Sequence, residues 1–133
     1  MCAAGEPSQL RALVVDDEAV VRKMMATLLS DAGFDCIEAD SGEKALSVLK
    51  DAGDQLPAIG LLDLKMPGMD GVDLANAMQR DHPDVPIVAV TGSMKMYDIE
   101  DLLKAGFAAI LTKPFKPERL QKLCQQLANR SSP

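Results

Sequence analysis

Three carboxylates, a hydroxyl and an amine stand where short apolar runs of this 133-residue chain end. Asp16 and Asp17 follow "ALVV" (Ala12–Val15). Asp63 follows "IGLL" (Ile59–Leu62) and precedes the turn "KMPG". Thr91 follows "PIVAV" (Pro86–Val90), and Lys113 lies just past "AAIL" (Ala108–Leu111). A carboxylate at the end of a buried run is costly unless something pairs with it. Three of them in one dry pocket would repel each other. A hard divalent cation relieves that repulsion, and Mg2+ suits a site of carboxylates, carbonyl oxygens and water. With the cation and Lys113 on one side and the Thr91 hydroxyl on the other, Asp63 could carry a phosphoryl group. Such transfer needs in-line positioning and neutralised oxygens, which these groups supply.

These residues converge only if the runs are strands of one sheet. The runs are Ala12–Val15, Phe34–Glu38, Ile59–Leu62, Pro86–Val90 and Ala108–Leu111. Four are nearly continuous in apolar residues, as expected of strands covered on both faces. The second alternates more, as an edge strand would. Between them, apolar residues recur at helical spacing over Glu18–Ala32, from Asp40 through Leu49, and over Gly71–Arg80, Met96–Ala105 and Lys116–Asn129. Asp40 with Glu43 has the spacing of a capping box. Gly33 and Gly106 suit the left-handed turn after a helix, and Pro117 suits a first helical turn. Repeated βα units favour a parallel sheet with helices on both faces. The ligand site of such a sheet lies at the carboxyl ends of its strands. The expectation is one (βα)5 domain over 9–129, with a loose arm at 1–8 and a polar tail at 130–133.

Composition narrows the function. Hydrophobic residues make up 47% and aromatics 3%, so the core is aliphatic. A net charge of -6 argues against binding nucleic acid or an anionic membrane through this domain. Cys2, Cys36 and Cys124 form neither a disulfide framework nor a zinc site. No signal peptide and no membrane-spanning run stands out, so a cytoplasmic location is expected.

The stretches "VVDDE" (Val14–Glu18), "LLDLKMPGMDG" (Leu61–Gly71), "VTGS" (Val90–Ser93) and "LTKPF" (Leu111–Phe115) resemble, in order, the receiver domains of two-component response regulators. The resemblance runs from about Arg11 to Asn129. It implies a flavodoxin-like, CheY-like fold with strand order 2-1-3-4-5. It makes Asp63 the phosphoacceptor. Asp16, Asp17, Asp63 and the Lys65 backbone carbonyl would hold Mg2+. Thr91 and Lys113 would each bond a phosphoryl oxygen, and the Lys113–Pro114 peptide would be cis. The donor would be a phosphohistidine on a sensor histidine kinase or a histidine phosphotransfer protein. The domain would be a switch rather than a metabolic enzyme, catalysing its own phosphorylation and dephosphorylation. Its output face would be the fourth helix, fifth strand and fifth helix, and its downstream partner is a protein the sequence does not name.

The chain departs from the family pattern in two places. Ile110 stands where many members carry an aromatic residue three positions before the Lys, so the usual Thr–aromatic switch cannot operate. Signalling is then expected to use the Thr91–Met96 loop and the helix after it. Gly92 replaces the more frequent Ala and loosens that loop.

Plainer readings exist for several residues. An acidic pair can be a solvated helix start. His82 reads as a surface residue, Cys36 and Cys124 as core or half-buried thiols, Met24, Met25 and Met78 as core filler, and Lys95 and Tyr97 as plain surface. Val20 and Met24 fall off the inward stripe of the first helix, and could instead dock a partner helix. Two rival functions are an interaction module that signals without phosphorylation, and an aspartyl-phosphate enzyme acting on a small molecule. The second lacks an Asp two residues after Asp63 and any evident cap domain.

Overall fold

The computed structural model describes residues 10–92 and 97–130. Five strands alternate with five helices: β1 (Arg11–Val15), α1 (Ala19–Asp31), β2 (Asp35–Ala39), α2 (Gly42–Ala52), β3 (Ile59–Asp63), α3 (Gly71–Asp81), β4 (Ile87–Thr91), α4 (Ile99–Lys104), β5 (Phe107–Thr112) and α5 (Pro117–Arg130). The sheet is parallel throughout, in the order β2-β1-β3-β4-β5. The doubly wound architecture and strand order are those expected from the sequence. The arm at 1–8, residues 131–133 of the tail and residues 93–96 lie outside the described residues.

Strand alternation divides the core into two layers. Leu13, Val15 and Leu62 point toward α2 and α3, with Leu49, Leu74 and Met78. Ala12, Val14, Ile59 and Leu61 point toward α1 and α5, with Met25, Leu29, Leu120 and Cys124. Successive side chains of a strand face opposite ways, so a strand covered on both faces is apolar at every position. Each fully buried Leu contributes roughly 2 kcal/mol through water exclusion.

The fifth strand departs from the expectation of cover on both faces. It is the second edge of the sheet, with Ala108 and Thr112 exposed and Ile110 half-buried. The cap of α2 also differs. Ser41, not Asp40, is in the extended cap conformation and accepts from the Lys44 backbone N–H at 3.1 Å. Helix α4 begins at Ile99, where the Asp98 carboxylate accepts from the Glu100 N–H, and Met96 lies outside the described residues. Only Leu102 of its apolar residues is buried, while Ile99 and Leu103 face solvent.

Candidate functional site

The parallel sheet brings the selected residues to one edge. Asp16 directly follows β1, Asp63 ends β3, Thr91 ends β4 and Lys113 directly follows β5. Asp16, Asp17 and Asp63 each offer a carboxylate oxygen, and these oxygens lie within 4.8 Å of one another. Asp16 and Thr91 are buried, Asp63 is 6% exposed, and Asp17 opens to solvent. The site thus has a buried floor at Asp16, Asp63 and Thr91 and is open to solvent at Asp17.

The contacts of these carboxylates are unequal. Asp16 Oδ1 accepts from the Glu18 N–H at 2.9 Å, whereas Asp16 Oδ2 is buried with no hydrogen-bond donor. Lys113 Nζ stands 3.6 Å from that oxygen and 3.9 Å from Asp63 Oδ1. The Lys65 N–H donates to Asp63 Oδ1 at 3.4 Å, and the Lys113–Pro114 peptide is cis. An orphaned buried carboxylate oxygen beside two more carboxylates is an all-oxygen, hard donor set. It fits Mg2+ and, having no His or Cys, does not resemble a zinc site.

Burial pushes the Asp63 carboxyl up to about 6 from 3.8, reinforced by the charge of Asp16 and opposed by Lys113. Removal from water disfavours the charged form, and a like charge nearby disfavours it further. A positive charge brought beside Asp63 would favour its ionised form.

Local sequence fixes the loop after β3. Gly68 has φ +74, a conformation that costs other residues more. Gly71 has a different reason. A Cβ there would strike the Asp63 carbonyl oxygen and come within 2.7 Å of the Leu64 Cα. Its N–H donates to the Leu64 carbonyl at 3.0 Å, and Asp70 with Asp73 forms a reciprocal capping box. Helix α3 thereby starts against the end of β3 and holds Asp63 in place.

Two residues near the site carry more than their sequence context suggests. Tyr97 is half-buried and packs on the α2–α3 layer, with its hydroxyl 3.5 Å from the Leu64 carbonyl oxygen, so it is not plain surface. The Arg22 side chain donates from Nη1 to the Asp16 carbonyl at 2.9 Å and from Nε to Glu38 at 3.1 Å. A basic residue on the helix after the acidic pair is the only sequence signal for it.

Other expectations resolve individually. Met25, Met78 and Cys124 are buried and Cys36 is half-buried, whereas Met24 is 45% and Val20 83% exposed. His82 is half-buried at the C-terminal cap of α3, the end of that helix away from the acidic cluster. Ser93 and Lys95 lie outside the described residues. No helix among the described residues is long and apolar enough to cross a membrane.

The fold and cluster define a receiver-type α/β domain. The family model for the response regulator receiver domain matches residues 12–125, and the chain belongs to that family, the signalling domains of two-component systems. It is 35% identical over 123 residues to the phosphate regulon transcriptional regulatory protein PhoB of Pseudomonas aeruginosa, covering 91% of this chain and 52% of that protein. It is 36% identical over 110 residues to the DNA-binding response regulator MtrA of Mycobacterium tuberculosis, covering 83% of this chain and 46% of that protein. The chain thus spans about half the length of these curated relatives. Among solved structures, chemotaxis protein CheY4 of Vibrio cholerae is 30% identical with a TM-score of 0.78, covering 90% of this chain and 99% of that one. A CheY-like receiver domain protein from Methanospirillum hungatei has a TM-score of 0.83 at 24% identity, covering 93% and 97%, a likeness of fold.

Proposed function

We propose that this domain accepts a phosphoryl group on Asp63 from a phosphohistidine, with Mg2+, and thereby switches a binding surface. The observation that carries this reading is the convergence of three carboxylates and one ammonium on the edge where Asp63 ends β3. Asp16, Asp17, Asp63 and the Lys65 backbone carbonyl would hold the cation. When bound, it supplies positive charge against the oxygens of the phosphoryl group.

The chain's own residues do the rest. A carboxylate oxygen of Asp63 attacks phosphorus, the phosphorus–nitrogen bond of the donor histidine breaks, and the electron pair stays with the imidazole. Lys113 donates a hydrogen bond to one phosphoryl oxygen, and Thr91 to another. Burial of Asp16 and Asp63 limits competing water during transfer. Water later attacks phosphorus, releases phosphate and restores the Asp63 carboxylate. The proposed donor is a sensor histidine kinase or histidine phosphotransfer protein docking over the exposed Val20 and Met24 of α1.

The output surface proposed is α4, β5 and α5. Ile99 and Leu103 are exposed on α4, and Ile110 is half-buried against the α2–α3 layer rather than buried as a core side chain. With an aliphatic residue at that position, the change passes through the β4–α4 connection and α4. An NMR titration tests both parts. Mg2+ should shift the amides of Asp17, Asp63 and Lys65. Beryllofluoride, a phosphoryl mimic, should then shift Thr91, Lys113 and residues of α4. Absence of any Mg2+ shift contradicts the acceptor chemistry. Shifts confined to the pocket contradict the switching route.

A further inference from the structure

We propose that Arg22 is a positioning residue that sets the geometry of the Asp16–Asp17 pair for a divalent cation. The inference rests on the reading that Asp16, Asp17 and Asp63 hold such an ion. In a regular strand, consecutive side chains point to opposite faces. Asp16 and Asp17 are consecutive, yet each offers an oxygen to one cluster with Asp63. The chain must therefore leave strand geometry at the peptide that joins them. Both sides of the Asp16 backbone are tied down as it does so. The Asp16 N–H donates to the Ala39 carbonyl at 3.2 Å. The Asp16 carbonyl, which belongs to the peptide leading into Asp17, accepts from Arg22 Nη1 at 2.9 Å.

Arg22 is itself held. Its Nε donates to Glu38 Oε1 at 3.1 Å, and its side chain is 15% exposed. Lys23 Nζ also approaches Glu38, at 3.7 Å. A planar guanidinium can address a carbonyl and a carboxylate at once from fixed directions, which a lysine ammonium on a flexible stem does not reproduce. Arg22 thus links the start of α1 to the end of β2 and orients the peptide from which Asp17 projects. Groups that orient ligands without touching the ion commonly set its affinity by on the order of 10-fold or more.

The sign of the effect separates positioning from two other roles. As a mere positive charge, Arg22 would repel the cation, and its removal would tighten binding. As a mere packing element, its removal would lower stability and leave the affinity of the folded protein unchanged. As a positioning residue, its removal weakens binding. The experiment is calorimetric titration with Mg2+, repeated with Mn2+, on folded wild type, Arg22→Gln, Arg22→Lys, Glu38→Gln and Asp17→Asn. Both Arg22 variants should bind on the order of 10-fold more weakly. Glu38→Gln, which frees the guanidinium from its anchor, should lose less. If Arg22→Gln does not fold, Arg22→Lys and Glu38→Gln decide the matter. Equal or tighter binding by the folded variants overturns the role of Arg22 alone. A wild type that binds neither ion, and does not differ from Asp17→Asn, overturns the cation site and this inference with it.

Discussion

The Lys113 ammonium stands 3.6 Å from Asp16 Oδ2, the buried carboxylate oxygen that no hydrogen-bond donor reaches. Lys113 is thus a counter-charge for the acidic floor as well as a neighbour of Asp63. Removing one partner of a buried pair strands the other charge. Lys113→Met should cost about 3 kcal/mol in EDTA. Added Mg2+ should restore part of that loss by binding the folded form alone. Urea unfolding with and without Mg2+ checks both statements. A variant as stable as wild type in EDTA would count against the pairing.

Stability should also depend on pH through Asp63. Its carboxyl is raised from 3.8 to about 6 in the folded chain, so the folded state holds that proton more tightly than the unfolded one. The associated stability is fully present below about pH 4 and is lost as pH rises through about 6. At neutral pH the ionised group costs on the order of 1–3 kcal/mol relative to its protonated form, since solvent screening offsets part of the shift. Asp63→Asn removes this dependence. Measured in EDTA, the variant should gain on wild type between pH 4 and pH 7, by up to about 3 kcal/mol. A constant difference across that range would refute the assignment.

The glycines of the site loop should differ in tolerance. At Gly71 an added Cβ meets the backbone of Asp63 and Leu64, which cannot step aside without moving β3. Gly71→Ala should cost about 3 kcal/mol or more. At Gly42 the same Cβ comes within 2.7 Å of Met69 Sδ, 2.9 Å of its Cγ and 3.1 Å of its Cβ, so a side chain rather than a strand backbone must give way. Gly42→Ala should therefore cost less than Gly71→Ala, about 1–2 kcal/mol. Thermal unfolding of the two variants side by side is the check, and a reversed order would contradict it.

Docking of the donor should be separable from chemistry. Val20 and Met24 are exposed on α1, the helix that follows the acidic pair in the chain. Val20→Glu with Met24→Glu should slow phosphotransfer from a phosphohistidine protein at least roughly 10-fold, since a charge in an apolar contact is costly. The rate with a small-molecule donor such as acetyl phosphate should not change. Equal slowing with both donors would place the defect in the site itself.

The fold was legible because β1, β3 and β4 are continuous apolar runs separated by helical periodicity, and because repeated βα units leave few topologies. The acidic cluster was legible for the same reason, since strand ends of a parallel sheet share one edge. The run "AAIL" reads alike in a central and an edge strand, so only the order 2-1-3-4-5 that the resemblance implies places β5 at an edge. Asp40 and Ser41 are both good caps, and only the backbone conformation decides that Ser41 serves. The Tyr97 contact depends on tertiary approach to the Leu64 carbonyl, whereas the Arg22 contact to the Asp16 carbonyl depends on how the chain turns from β1 into α1, for which a basic residue after the acidic pair is the only sequence signal. Gly71 reads as an ordinary turn glycine until the backbone of β3 is seen beneath it.

Acceptance of a phosphoryl group by Asp63 with the help of a divalent cation is open to direct measurement. The most direct test is intact-mass measurement after incubation with acetyl phosphate, with and without Mg2+, on wild type and Asp63→Asn. Wild type should gain one phosphoryl group with Mg2+ and none in EDTA, and the variant should gain none. No gain in wild type, or an equal gain in Asp63→Asn, would contradict it.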